Sequence, residues 1–381
     1  CESRLNLPNE VSLTSLDSPP QDSLNVLYRN KKLTQEIDSS IFSIFQYHLT
    51  LLSHSATKLY IGISKEVAPV FDNNASDLQD EFEKIENWKT QKFIPMTEVG
   101  HGMRSMIKLL SSLLEPVSQV VLIDEPEMHL YPSQKRWLGK KLVTLARDQQ
   151  KQVFLVTHDP MILQGILDAN TSTRIFRVDR DATNNGIIKS CELDRVNDAS
   201  ALRNQEQYLQ GLFYQRCVVV EGASDRSFYQ NMFEEYPETS DKDLGVVVAG
   251  GDGSSKHFAH IVSKVGLKAA FIYDLDTLLN KPDLVKDIYS KLGGEDNPVE
   301  KLVNVFNSDP TISATTNNAD RCKKIKEVTG YTGKNGLSPT WANTNKTLLD
   351  ELFSALAAKG IFFVPHGTLE SWAPDVEPKF R

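Results

Sequence analysis

The chain has 381 residues, is 40% hydrophobic and 24% charged, and carries a formal net charge of −8. These values describe a globular protein of two domains or three. They exclude a generally basic nucleic-acid binder of the histone kind, but not a local basic groove beside acidic metal ligands. No run of about 18 apolar residues occurs, so no membrane span is expected, and no secretory leader is visible. The first residue is Cys1 rather than Met. The cysteines, Cys1, Cys191, Cys217 and Cys322, are widely spaced with no C-x-x-C pair. Zinc and disulfide frameworks are therefore not expected, and a reducing cytosol is the natural compartment.

Residues 1 to about 90 carry no recognisable chemistry. SIFSIFQYHLTLL (40–52) mixes apolar and polar residues at helical spacing, and DLQDEFEKIENWK (77–89) reads as a charged amphipathic helix. MRSMIKLLSSLL (103–114) is helical and is followed by Pro116. QVVLIDEPE (119–127) is a buried strand ending in acids, SQKRWLGKKLVTLARDQ (133–149) a helix capped by Ser133, and KQVFLVTHDP (151–160) a second buried strand. Continuous apolar strands flanking a helix imply parallel pairing in an α/β layer. TRIFRVDRDATNNGIIKSCEL (173–193) reads as a hairpin around Asn185-Gly186 that ends the first domain. DASALRNQEQYLQGLF (198–213) is a connecting helix.

A second α/β pattern follows. RCVVVEGASDRSFYQNMF (216–233) and LGVVVAGGDGSSKHFAHIVSKV (244–265) are each strand, turn and helix, and KAAFIYDLD (268–276) is a third strand. Residues 281–345 read as polar and loop-rich with helical pieces, and 347–372 as helix, strand and a turn bearing Glu370.

Two groups of residues carry chemistry. In the first, Asp124 and Glu125 end a strand, His158 ends the next strand, and Gly100 and Gly102 lie in TEVGHGMRS (97–105), a loop opening a helix whose N–H groups suit a phosphate. In nucleotide hydrolases the first acid of such a pair holds magnesium through water and the second polarises the attacking water. The acid pair alone is also an ordinary strand terminus. In order, these stretches resemble the ABC-type ATPase family: Gly100, Gly102 and Arg104 match the signature loop, Asp124-Glu125 the Walker B pair and His158 the switch histidine. DEPEMHLYP resembles the ATPase half of the overcoming-lysogenisation-defect (OLD) family, with Tyr131 where that family has a second histidine after His129. No G-x-x-x-x-G-K-[ST] loop occurs, since GGDGSSK and GYTGK fail its spacing and lie too late. The expectation is that the Walker A half is absent from this sequence and that the chain alone binds ATP poorly.

The second group is acidic. Glu221 and Asp225 lie in EGASD, Asp274 and Asp276 form a D-x-D, and Glu370 lies in HGTLESW. Two acids two apart on a strand share a face and repel, so either a cation sits between them or the strand has already ended in solvent. Ligands gather at the carboxyl ends of parallel strands, so the acids can converge on one rim. An all-oxygen set selects Mg²⁺ or Mn²⁺. Asp225 and Glu370 also read as a helix-start cap and a solvated loop acid. The layout resembles the TOPRIM fold, in its OLD-family version.

That resemblance implies an α/β chain: the C-terminal half of an ABC-type ATPase followed by a TOPRIM domain with a parallel sheet. It implies a helical insertion or dimerisation region at 1–95, the ATPase half at 96–197, a linker helix at 198–214 and the nuclease domain at 215–381. It further implies a DNA endonuclease with Glu221, Asp225, Asp274, Asp276 and Glu370 around two divalent cations. One cation generates hydroxide and the other stabilises the leaving 3′ oxygen. Lys256 is a candidate for a nucleic-acid phosphate, and Lys334, Lys346 and Lys359 for a basic residue near it. The implied setting is cytoplasmic anti-phage defence, with Mg²⁺-ATP in the intact protein, assembly through the ATPase domains, and partner defence proteins or retron nucleic acid. The rival readings are a metal-binding TOPRIM sensor or scaffold without cleavage, and a primase-like enzyme.

Overall fold

The computed structural model describes residues 10–12, 23–55, 58–72, 74, 76–114, 119–169, 173–180, 183–192, 206–236, 243–249, 254–364 and 367–368. They form two compact units, Cys1–Ala169 and Asn170–Arg381.

In the first unit, helices α1 (Ser23–Arg29) and α2 (Lys31–Phe45) precede an antiparallel sheet. Its strands are β1 (Glu10–Ser12), β2 (His48–Ser55), β3 (Lys58–Ser64) and β4 (Ile94–Pro95), and β1, β2 and β4 all pair with β3. The stretch 40–52 is therefore part helix and part strand. Gln46 adopts a left-handed conformation (φ 58°) and its N–H bonds to the Phe42 carbonyl, which ends α2 before β2 begins. The charged helix appears as α3 (Leu78–Lys92), capped by Asp77.

Helix α4 (His101–Leu114) leads to β5 (Val120–Asp124), α5 (Pro132–Asp148), β6 (Gln152–Val156) and α6 (Pro160–Asp168). Helix α5 starts one residue before the expected cap: Pro132 occupies its first position and the Gln134 side chain accepts from the Tyr131 N–H. Strands β5 and β6 pair in parallel, Val120 opposite Gln152 through Asp124 opposite Val156. One core joins Ile37, Ile41, Leu59 and Ile61 to Met106, Leu110, Leu138 and Ile162. The N-terminal segment is thus continuous in packing with the acid-bearing strands. These strands are buried on one face only: Ile123 is buried, while Val120, Leu122, Phe154 and Val156 are exposed on the other.

In the second unit, β7 (Arg174–Arg180) and β8 (Gly186–Glu192) form the expected antiparallel hairpin. It packs with the elements that follow it rather than closing the first unit. Arg177 donates to the carbonyls of Leu212 (2.7 Å) and Tyr214 (3.0 Å), just beyond α7 (Glu206–Gly211). Helix α7 is anchored by Tyr208, which is fully buried and stacks on Phe258.

The central sheet has the order β10-β9-β11-β12. Its strands β9 (Arg216–Val220), β10 (Leu244–Val248), β11 (Lys268–Tyr273) and β12 (Ile361–Phe363) are all parallel. Helices α8 (Ala223–Glu235) and α9 (Ser254–Val265) connect the first three strands, which have the near-continuous apolar composition of a doubly covered sheet.

The segment between β11 and β12 is more helical than its composition suggests. It contains α10 (Leu275–Asn280), α11 (Pro282–Lys291), α12 (Val299–Ser308), α13 (Pro310–Ser313), α14 (Asn318–Thr329), α15 (Pro339–Thr344) and α16 (Lys346–Ala358). The polar residues that read as loop are mostly caps and first turns. Asp309, Asn317 and Ser338 each accept an N–H at a helix start, and Val285, Ile288, Leu302, Phe306 and Ile325 supply the buried face.

Candidate metal centre

Parallel pairing of β9 with β11 puts Val220 opposite Ile272, so the residues leaving both strands emerge side by side. Glu221 follows β9. Asp274 follows β11 as the N-cap of α10, and Asp276 lies in the first turn of that helix. The D-x-D is thus not on a strand. The strand has ended, and the helical turn keeps both acids at the same rim. One carboxylate oxygen from each of Glu221, Asp274 and Asp276 lies within 4.8 Å of the others, and all three residues are half-buried.

The chain holds these carboxylates individually. Oε1 of Glu221 accepts from the Asp274 backbone N–H (3.3 Å) and from the Thr277 hydroxyl. Burial pushes the Glu221 pKa up, and the charges of Asp276 and Asp225 add to this, while the bonds from Thr277 and Asp274 oppose it. Asp276 accepts from Asn280 Nδ2 (3.3 Å) and faces Lys326 Nζ at 3.5 Å. Three converging carboxylates concentrate negative charge that a divalent cation would balance. The all-oxygen donor set fits Mg²⁺ or Mn²⁺ rather than a thiophilic metal.

The other acidic candidates stand differently. Asp225 sits in the first turn of α8 and its Oδ2 accepts the Gly222 N–H at 2.8 Å, so it serves as a helix-start cap while its charge still reaches Glu221. Glu370 lies outside the described residues. The chain just before it is tied to the site: the Leu275 N–H donates to the Gly367 carbonyl (2.9 Å), and the Thr368 hydroxyl to the Gly333 carbonyl (3.0 Å).

Among the basic candidates, Lys256 forms an ion pair with Asp287 (3.1 Å) and lines a cavity of about 490 Å³ with Asn280 and Arg321. Lys359 donates to the Gly293 carbonyl (2.7 Å), and Lys334 and Lys346 are exposed. A lysine that does face an acid of the cluster is Lys326, 3.5 Å from Asp276, which sequence reading did not single out. Nor did it single out Thr277, or Tyr331, whose ring lies 5.4 Å from the Lys326 ammonium. Lys326 and Tyr331 belong to the segment 281–345 that read as loop-rich, and Thr277 to the short helix that directly follows β11. The available signal was a glycine, Gly330, ending a helix directly before an aromatic residue.

In the first unit, Asp124 ends β5, and Glu125 takes a positive φ of 44° that turns the chain out of the strand. Its Oε1 lies 3.5 Å from His158 Nε2. The expected acid and histidine thus meet. Glu127, which sequence reading passed over, is buried behind them. Its Oε1 accepts from the Thr157 hydroxyl (2.6 Å) and the His158 N–H (3.1 Å). Gly100 directly precedes α4. Gly102 lies in its first turn, where an added Cβ would stand 2.4 Å from the His129 carbonyl oxygen. Close packing is therefore sufficient reason for glycine at 102. Arg104 approaches His101 Nδ1 at 3.2 Å, and its Nε is buried without a hydrogen-bond partner.

Residues 13–164 match the family described as "AAA domain, putative AbiEii toxin, Type IV TA system". Residues 212–276 match "Overcoming lysogenization defect protein-like, TOPRIM domain". The chain therefore joins an AAA-type ATPase domain to an OLD-like TOPRIM domain, and the carboxylate rim belongs to the second. Among curated proteins it is similar to an OLD nuclease of Thermus scotoductus (strain ATCC 700910 / SA-01), 26% identical over 201 residues, covering 48% of this chain and 36% of that protein. It is also similar to endonuclease GajA of Bacillus cereus (strain VD045), 23% identical over 282 residues, covering 70% of this chain and 46% of that protein. The chain thus spans between about a third and a half of these relatives' lengths. A solved SMC head bound to the C-terminal winged-helix domain of ScpA is similar at 12% identity, over 47% of this chain and 52% of that one. Its TM-score of 0.31 carries no structural argument.

Proposed function

We propose that the second unit hydrolyses phosphodiester bonds in DNA with divalent cations held by Glu221, Asp274 and Asp276, under the control of the ATPase unit. The convergence of these carboxylates within 4.8 Å at neighbouring strand ends carries the reading, and the OLD-like TOPRIM match and the nuclease names of the similar proteins support it. When bound, Mg²⁺ or Mn²⁺ ions supply Lewis acidity and lower the pKa of water at the phosphate. The chain's own part is positioning. Thr277 and the Asp274 N–H fix the Glu221 carboxylate, Asn280 and Lys326 fix Asp276, and the α10 turn holds both aspartates at one rim.

A pair of ions, with Asp225 and Glu370 completing the set, belongs to the same reading. So do a nucleotide site built from Gly100, Gly102, Arg104, Asp124, Glu125 and His158, assembly through the ATPase units, and a cytoplasmic role in anti-phage defence. The contact between Glu125 and His158 supports the nucleotide site; the defence role rests on resemblance of motifs.

The test is nicking of supercoiled plasmid by the intact protein in Mg²⁺ or Mn²⁺. Nicking is expected in the wild type and lost in Asp274→Asn. Unchanged nicking in Asp274→Asn overturns the assignment. Mn²⁺ binding without any nicking would leave a metal-holding scaffold instead.

A further inference from the structure

We propose, building on the nuclease reading, that Lys323 and Lys334 bind backbone phosphates of the DNA away from the bond that is cut, and so lay the duplex along α14 where it meets the carboxylate rim. Residues 318–334 hold five basic and two acidic side chains, in a chain of net charge −8. The two acids are engaged, Asp320 with Asn317 at the helix start (2.7 Å) and Glu327 with Lys324 (2.5 Å). Ile325 and Thr329 bury one side of α14. Another side carries Ala319, Lys323, Lys326 and Gly330, which are neighbours along one stripe because they are spaced by four, three and four residues. Ala319, Lys323 and Gly330 are exposed, and the stripe bears no acid. Small residues beside the lysines leave room for another backbone to approach. Lys326, on the same stripe, faces Asp276 at 3.5 Å, so the stripe runs up to the rim.

Lys334 reaches the same place by a separate route. Thr332 and Gly336 exchange two backbone hydrogen bonds of 2.9 Å, closing a turn with Lys334 at its tip. The Gly333 carbonyl accepts from the Thr368 hydroxyl (3.0 Å), and a Cβ on Gly367 would stand 2.8 Å from the same oxygen, so the two backbones are in direct contact. The Gly367 carbonyl in turn accepts the N–H of Leu275 (2.9 Å), the residue between Asp274 and Asp276. The turn is thus fastened to the backbone of the rim. Among the described residues, neither Lys323 nor Lys334 makes a hydrogen bond or ion pair; Lys323 adds only its charge near Glu327. By contrast, Lys256 is paired with Asp287, and Lys359 is bonded to the Gly293 carbonyl. Exposed ammonium groups on long stems are point charges suited to phosphates, and they position a duplex without reading its sequence. DNA carries its negative charge along its whole length, so a rim that takes one phosphodiester brings its neighbours over the adjoining surface.

The experiment measures binding of a short fluorescein-labelled duplex to the intact protein by anisotropy, at fixed Ca²⁺ while KCl is varied. The wild type is compared with Lys323→Ala, Lys334→Ala, the double variant and Lys324→Ala. Each phosphate contact contributes about 0.9 to the slope of log affinity against log salt. Each of the first two variants should flatten the slope by that amount and bind more weakly at low salt, and the double variant should lose twice as much. Lys324→Ala lies on a different side of α14 and removes a lysine already tied to Glu327, so its slope should equal that of the wild type. Mn²⁺ affinity by calorimetry and the thermal unfolding midpoint should match the wild type in Lys323→Ala and Lys334→Ala, because neither lysine is bonded within the fold. A wild-type slope in the double variant overturns the proposal, and leaves the nuclease reading standing if the wild type nicks plasmid. An equal loss of slope in Lys324→Ala also overturns it, since the duplex would then be sensing net charge and not this track. Failure of the wild type itself to bind duplex is a different result, and sinks the nuclease reading along with it.

Discussion

The Thr277 hydroxyl donates to Oε1 of Glu221. The residue leaving β9 is thereby tied to the first turn of α10 by a side chain that is itself buried. The contact reaches across the seam between two parallel strands at the point where cations would enter. In Thr277→Val the shape is kept and the donor is lost. Partners of this kind typically contribute about 10- to 100-fold to metal affinity. Mn²⁺ affinity measured by calorimetry should fall by roughly tenfold, with little change in the unfolding midpoint. An unaltered Mn²⁺ isotherm would show that Thr277 is only a packing residue.

Glu221 yields a pH prediction. Its pKa is raised in the folded protein, mainly by burial. A carboxyl raised on folding contributes stability below its unfolded pKa and loses it as pH rises through the folded value. The metal-free protein should therefore lose stability as pH rises from the ordinary glutamate range through the Glu221 titration. Metal affinity should rise over the same interval, because only the carboxylate is a ligand. Glu221→Gln keeps the acceptor used by Thr277 and Asp274 but cannot ionise. Without metal it should unfold at a higher temperature than the wild type at pH 7, because the amide carries no charge to bury. With Mn²⁺ the order should reverse. A lower metal-free midpoint for Glu221→Gln at pH 7 would contradict the burial account.

The acids at the rim were legible because an apolar run followed by a carboxylate marks a strand end, and neighbouring parallel strands place their ends together. Glu221 and Asp274 follow from that rule, whereas Asp276, read as the end of the strand, is brought to the rim by the first turn of α10. Residues reaching the rim from elsewhere were not legible. Lys326 arrives on α14, whose course is set by packing of Ile325 and its neighbours in the helical segment, and no local periodicity encodes which helix meets which strand end. The hairpin at 174–192 shows the same division. Its alternation was readable, but its attachment depends on Arg177 reaching two carbonyls beyond α7. In the first unit, a continuous apolar pattern suggested strands buried on both faces, whereas Leu122 and Val156 are exposed. Composition reports what a strand can bury, not what is present to cover it.

Glu127 gives a prediction for the first unit. Its Oε1 holds both the Thr157 hydroxyl and the His158 N–H, and the residue is buried. Glu127→Ala orphans two donors, at about 1–3 kcal/mol for each that water cannot reach. Urea unfolding of the intact protein should show the first unit less stable by roughly 2–4 kcal/mol. Glu127→Gln keeps the Oε1 acceptor and should lie within about 1 kcal/mol of the wild type. Equal losses in both variants would assign the role to charge rather than to hydrogen bonding.

Gly102 separates two explanations of one residue. The sequence offers it as part of a loop whose backbone approaches a phosphate. The structure adds that a Cβ at this position would stand 2.4 Å from the His129 carbonyl oxygen, and His129 itself sits at a positive φ of 65°. Relief requires the loop after Glu125 to move away from α4. Gly102→Ala should therefore lower the stability of the first unit by about 1–3 kcal/mol, the cost of forcing one methyl group into a filled site. The loss should appear without nucleotide and with the urea dependence unchanged, as expected when the native packing is strained and the unfolded state is not altered. If the variant is as stable as the wild type and only nucleotide affinity drops, the glycine is there for the phosphate and not for His129.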